Sequence, residues 1–242
     1  MIRKILVIAL LYLLFLVSTA PASLLPMVLD KVLPGRIGLI GLSGSIWQGH
    51  AQQLTLDGQV LADKLDWSLS AWRLLTGRLG IDLQATQGKA KVVADTDSIL
   101  LKETQLSLPL PLLGQVVKPI GLYQLTGQGA LNTQQFEWDR GVASGELVIE
   151  WRQAASGMVS LPTLGDYRLE AKAGPRGFSG KVSTLSGALN VSGDGTWSQK
   201  EGLSVHLQLR PDPAQAAVLR PLLSVAGQPA ADGTYYLNTS LK

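Results

Sequence analysis

No cysteine occurs in the 242-residue chain, which excludes disulfides, thiolate metal sites and cysteine nucleophiles. Histidine is nearly absent too. His50 and His206 are the two, and they do not have zinc-ligand spacing. His50 reads as a turn residue after Gly49, and His206 as an exposed strand residue sharing a polar face with Ser204, Gln208 and Arg210. There is no G-x-S-x-G elbow, P-loop, dinucleotide fingerprint or S-x-x-K. The nearest carboxylate pair, Asp95 and Asp97, sits in a turn-like Asp-Thr-Asp and reads as solvated. We therefore expect no enzyme activity, no cofactor and no resident metal. Charge is also sparse, at 16% of residues. Lysine and arginine number 21 against 18 acidic residues, and removing Arg3 and Lys4 leaves 19 against 18. The densest basic pair, Lys89 and Lys91, reads as one side of a solvated strand, so no nucleic-acid partner is expected.

The two N-terminal charges matter because they precede a long apolar stretch. Ile5 to Leu29 carries no charged residue, and Ile5–Val17 is an apolar run rich in leucine. Asp30 and Lys31 end the stretch. Two readings fit. Ala20-Pro21-Ala22 has the small residues of a signal-peptidase site, with cleavage after Ala22. Alternatively, residues 1–29 are a cytoplasmic tip and an uncleaved signal-anchor whose apolar length spans a bilayer of about 20 helical residues. We favour the anchor, because cleavage would leave the apolar start Ser23-Leu24-Leu25-Pro26-Met27-Val28-Leu29. Basic residues ahead of the helix keep the N-terminus in the cytoplasm. The expected localisation is the inner membrane, single-pass, with residues 30–242 in the periplasm.

Beyond residue 30 the pattern is alternation. Leu65-Asp66-Trp67-Ser68-Leu69, Leu79-Gly80-Ile81-Asp82-Leu83-Gln84-Ala85, Tyr167-Arg168-Leu169-Glu170-Ala171-Lys172-Ala173 and Leu203–Arg210 alternate apolar with polar. Period two gives each strand one dry and one wet face, as antiparallel sheets show. Turn signals lie between such segments at Asp57-Gly58, Gln87-Gly88, Asp139-Arg140-Gly141, Gly174-Pro175-Arg176-Gly177 and Asp194-Gly195. Two short helices are expected, over Ser70–Gly77 and Asp212–Arg220, the second opening on Pro213 and ended or kinked by Pro221. The proline-rich stretch Leu108–Pro119 reads as a packed crossover, giving two pseudo-halves, 36–107 and 121–242. The fold class expected is all-β: an N-terminal transmembrane helix, then one curved antiparallel sheet forming an open groove, a sandwich or a partly closed barrel.

An ordered set of short motifs carries a resemblance. It comprises Leu42-Ser43-Gly44-Ser45-Ile46-Trp47-Gln48-Gly49-His50-Ala51, then Leu65-Asp66-Trp67-Ser68-Leu69, then Trp72 with Leu74-Leu75. Leu164-Gly165-Asp166-Tyr167, Gly193-Asp194-Gly195-Thr196-Trp197, Leu222-Leu223 and Asp232-Gly233-Thr234-Tyr235 come next in order. In this order and length the chain resembles the protein N family of the bacterial type II secretion system, and through it the AsmA-like β-groove proteins. The resemblance implies an accessory inner-membrane component that supports protein export across the outer membrane by contacting other secretion proteins. It implies no catalytic residues. Trp47, Trp67 and Trp72 are the candidate partner contacts, since aromatic residues are enriched at interface hot spots. Trp67 alternates with polar neighbours and so also reads as core. A second function class stays open: an envelope lipid-binding or lipid-transfer module whose uncovered apolar β-face holds lipid.

Overall fold

The computed structural model describes residues 2–32, 34–74, 76–110 and 124–241. The chain is all-β apart from short helical segments, and its strands are antiparallel. It divides into two compact units, residues 1–95 and 96–242. Much of the expected crossover, from Pro111 on, lies outside the described residues.

The first unit opens with α1 (Ile2–Ser18). The uncharged stretch does not continue as one helix. After α1 come a 3-10 turn (Ala22–Leu24) and a second helix, α2 (Leu25–Val32). Pro21 lacks an N–H and Pro26 sits in the first turn of α2, where a proline is tolerated, so the chain breaks before α2 and restarts. Among the described residues no helix is long and apolar enough to cross a membrane.

Strands β1 (Ile37–Ile40), β2 (Ser43–Gly44), β3 (Gln48–Leu56), β4 (Gln59–Leu69), β5 (Leu79–Ala85) and β6 (Gly88–Ala94) come after it. Between β4 and β5 lies α3 (Ala71–Leu74). Gly49, Trp67, Leu83 and Ala90 stand opposite one another across β3–β6, forming one apolar row. Ala22 and Leu25, where α2 begins, pack on this face with Ala51 and Trp67.

The second unit is a meander of β7 (Ser98–Pro109), β8 (Leu125–Asp139), β9 (Val142–Ser156), β10 (Gly165–Gly174), β11 (Gly177–Gly187), β12 (Leu189–Ser198), β13 (Gly202–Pro211) and β14 (Tyr235–Leu241). β7, most of which the halves drawn from sequence would assign to the N-terminal half, pairs along its length with β8. Among the described residues no pairing joins β14 back to β7, so this sheet is open. One helix, α4 (Ala216–Leu223), covers part of it.

Register follows from the turns. Arg140-Gly141 is a two-residue loop with positive φ at both positions, the mirror-image turn whose twist matches a hairpin. Asp194-Gly195 is different, because it lies inside β12 and pairs with Val205 and His206 of β13. A Cβ on neighbouring Gly193 would collide with the His206 carbonyl oxygen. The glycines here mark close approach of two backbones rather than a turn. The chain reverses instead over residues 199–201, between Ser198 and Gly202.

α4 also differs from expectation. It starts at Ala216, after Asp212 accepts a hydrogen bond from the Ala214 N–H at 2.9 Å, and it contains Pro221. Leu219 and Leu223, one turn apart, are fully buried among Ala154, Leu164, Tyr167, Leu189 and Tyr235. Their packing holds the helix together across the proline. Leu219→Ala should lower unfolding stability by about 2–5 kcal/mol, read by urea denaturation of the full chain. An unchanged midpoint would show that α4 does not anchor this core.

Candidate interaction surfaces

The Gly44–Gly49 segment clasps the end of α1 to the sheet. Ser45 Oγ accepts hydrogen bonds from the Trp47 and Gln48 N–H groups at 3.2 and 3.1 Å, bending the chain between β2 and β3. The bend lets the Ile46 N–H reach the Ala20 carbonyl at 3.0 Å and forms a bridge between Ser45 and Pro21. It also brings the Trp47 indole N–H to the Val17 carbonyl at 2.8 Å. The Val17 carbonyl also accepts the Ala20 N–H at 3.3 Å, so Trp47 adds a second donor to the last turn of α1. On the other side of the segment, the Trp47 carbonyl accepts from the Leu69 N–H at 2.6 Å.

The three candidate tryptophans have three different environments. Trp67 is 7% exposed and its Nε1 donates to the Ile46 carbonyl at 3.1 Å. Its ring lies over Gly49, where a Cβ would overlap it. Trp67 therefore has no surface to offer a partner, and Gly49 is required by the ring above it. Trp47 is half-buried. Trp72 is 76% exposed. The four-residue helix α3 explains why: Arg73 lies across Gly80, which leaves Trp72 on the outside. Val17, Trp47, Leu69, Trp72 and Leu74 line an open, mainly apolar groove of about 640 Å³.

The second unit presents a larger apolar surface. Leu106, Leu131, Ile149, Leu169, Val182, Gly193, Leu207 and Leu237 stand in one register row across all eight strands. The adjoining row, from Asn132 through Glu170, Lys181, Asp194 and His206 to Asn238, is polar except for Val148. α4 packs beside Trp151, Tyr167, Leu209 and Tyr235, at one end of the apolar face. None of the Leu131–Leu237 row belongs to the buried core, and Ile149, Trp197 and Leu203 are exposed.

At the covered end the polar atoms are satisfied. The buried Tyr167 hydroxyl donates to the Leu189 carbonyl at 2.9 Å. Burial pushes its phenol above the ordinary range, and nearby Asp166 adds to the effect. Thr234, also buried, donates its N–H and its hydroxyl to the two carboxylate oxygens of Asp232, both at 3.0 Å. Those bonds hold the Asp232 carboxyl below its usual range and fix the turn that enters β14.

The wet face carries ion pairs, across strands at Lys172–Glu146 and Arg168–Glu150 and within β9 at Arg152–Glu150. Lys172 meets Glu146 at 2.8 Å, which holds the lysine above its ordinary range, and Glu150 takes Arg152 at 2.7 Å and Arg168 at 3.5 Å. Such exposed pairs contribute about 0–1 kcal/mol each and chiefly keep the face wet. The histidines belong to this pattern. His50 lies in β3 rather than in a turn, opposite Asp66, with Nδ1 2.9 Å from the carboxylate. His206 faces Asp194 across β12–β13 at 3.9 Å. Ser43 of β2 stands opposite His50 in register. Among the described residues no group of three or more histidines or carboxylates could hold a metal ion.

The family described as type II secretion system (T2SS), protein N, matches residues 35–238, which run from the approach to β1 into β14. The chain belongs to this family. It is similar to the type II secretion system protein N of Vibrio cholerae serotype O1, with 35% identity over 101 residues. The aligned part covers 34% of this chain and 40% of the relative's length. No solved structure matches. The family's span thus includes the clasp, the strands of both units and α4, while α1 lies before it.

Replacing the two contrasting tryptophans tests these environments. Trp67→Ala should cost about 3–5 kcal/mol of unfolding stability. Trp72→Ala should stay within about 0.5 kcal/mol of the parent, since it removes no buried contact. Both are read by urea denaturation. Equal losses would show that Trp72 is part of the core.

Proposed function

We propose that the protein is an accessory, non-enzymatic component of type II secretion, held at the inner membrane by α1 and meeting other secretion proteins through its periplasmic strands. The observation that carries this reading is the family match over 35–238, which takes in nearly all of the β-structure. Arg3 and Lys4 ahead of an apolar helix support a cytoplasmic N-terminus. The helix itself is hydrophobic all round. Ile5, Leu6, Val7 and Ile8 are consecutive, so at 3.6 residues per turn they face every side, and each is more than half exposed. A helix of that kind needs an apolar medium around it.

A tether of this kind raises the effective concentration of the strands at the membrane. Partner contact then falls to the wet faces and to free strand edges. β14 pairs only with β13 among the described residues, and an exposed edge can accept another chain's strand.

A second reading is favoured by one observation, the apolar row from Leu131 to Leu237, none of whose residues belongs to the buried core. In that reading the face holds acyl chains and the protein binds or transfers envelope lipid. In-cell photocrosslinking distinguishes the two. Probes go at Gln52, Glu150 and Gln208 on wet faces and at Ile81, Leu147 and Leu169 on apolar ones. Adducts to secretion proteins from the wet positions, with silent apolar positions, are the expected result. Lipid adducts along the apolar positions, with no secretion-protein adducts, would replace the secretion-contact reading with the lipid one.

A further inference from the structure

We infer that the corner formed by Trp72, Leu74, Trp47 and the outer side of α2 is a membrane-docking surface, seated in the headgroup zone of the bilayer that holds α1. The inference rests on α1 lying in that membrane, and it concerns what happens where α1 ends.

α1 has 17 residues. At about 1.5 Å per residue it is about 26 Å long. The hydrocarbon core of a bilayer is about 30 Å thick, so α1 by itself falls about 4 Å short. A short hydrophobic helix is accommodated by thinning the bilayer or by drawing its flanking residues toward the core. The clasp determines which residues flank it. Trp47 Nε1 binds the Val17 carbonyl and the Ile46 N–H binds the Ala20 carbonyl, so the sheet begins at the end of the helix with no free linker between them. Whatever depth Ser18 occupies, the groove lined by Val17, Trp47, Trp72 and Leu74 lies beside it.

That corner has the chemistry of the interface. Trp72 is the most exposed large hydrophobic residue among those described, and Leu74 is exposed beside it in the groove. On α2, which starts just past the clasp, Met27 and Val28 are exposed although Leu25, two residues earlier, packs against the core. α2 thus turns one side to the sheet and another outward. Tryptophan prefers the zone where an apolar ring can lie against acyl chains while its N–H stays hydrated. The occupant is a lipid surface rather than a protein groove-filler, because the corner is continuous with a helix that itself requires lipid on every side. Seating the corner supplies the apolar depth that α1 lacks, and it fixes the orientation of the first unit against the membrane.

The absence of cysteine makes the test direct. Full-length single-cysteine variants Leu11→Cys, Trp72→Cys, Leu74→Cys and Leu185→Cys are nitroxide-labelled and reconstituted in phosphatidylethanolamine/phosphatidylglycerol vesicles. Accessibility to oxygen and to a neutral nickel chelate then reports depth. Leu11 reports α1, Leu185 is an exposed apolar control in the second unit, and Leu74 keeps Trp72 native. The expected result is Leu11 at acyl depth, Trp72 and Leu74 at headgroup depth, and Leu185 in water. Leu11 at acyl depth with Trp72 and Leu74 as open to nickel as Leu185 would overturn the docking surface while leaving α1 in the membrane. Leu11 open to nickel would overturn the anchor and the docking together. Labels at Trp72 and Leu74 reached by neither reagent would place the corner against another protein copy and overturn the lipid assignment.

Discussion

An antiparallel sheet with one apolar face is stable only when something keeps water off that face. Among the described residues, each unit has a short helical piece that does so. In the first, Ala22 and Leu25 at the entry to α2 close over Ala51 and Trp67. In the second, Leu219 and Leu223 of α4 close over Tyr167, Leu189 and Tyr235. Among the described residues, Leu219 and Leu223 are, with Thr104 of β7, the largest fully buried side chains. The alternation makes register critical, since a slip of one residue would exchange the Leu131–Leu237 row for the row holding Glu170, Lys181 and Asp194. Two-residue turns such as Arg140-Gly141 and ion pairs such as Lys172–Glu146 hold that register from the ends and from the wet side.

The short motif around Trp47 has a physical explanation in this arrangement. Gly44 has positive φ and backs directly onto the Gln48 carbonyl. Ser45 holds the bend, Trp47 binds the end of α1, and Gly49 leaves room for the Trp67 ring. A helix end, a bend and a core ring are joined by side chains that touch one another. The spacing of the glycines and the tryptophan therefore has a local stereochemical cause.

Period two is why the strands are legible from sequence: Leu65–Leu69, Leu79–Ala85 and Leu203–Arg210 all lie in strands of the kind expected. Glycine is a poorer guide, because the same residue serves a turn at Gly141 and a backbone contact inside a strand at Gly193. α2 is hidden because its apolar residues continue those of α1 and only two prolines mark the break. Pro221 reads in sequence as a helix end or kink, since the burial of Leu219 and Leu223 that outweighs it is tertiary. The same limit applies to the tryptophans. Local alternation points to a buried Trp67, whereas the Trp47–Val17 bond spans 30 residues and leaves no periodic trace. What the apolar face is for is not legible at all, because periodicity says which side is dry and not what covers it.

The meander has a kinetic consequence. In the second unit every strand pairs with the next one in sequence, from β7 to β14, and no strand waits for a distant partner. Closing the hairpins between β8 and β13 costs only the entropy of a short loop, whereas the β13–β14 connection runs over residues 212–234. Chains dominated by such near-neighbour pairing form structure quickly and can add one hairpin at a time. A chain that emerges N-terminus first, from a ribosome or through a translocation pore, can therefore lay down the sheet in the order in which it appears. Leu219 and Leu223 of α4 and Tyr235 of β14 complete the core around Tyr167 and Leu189, so that core closes only after the strands before them are in place.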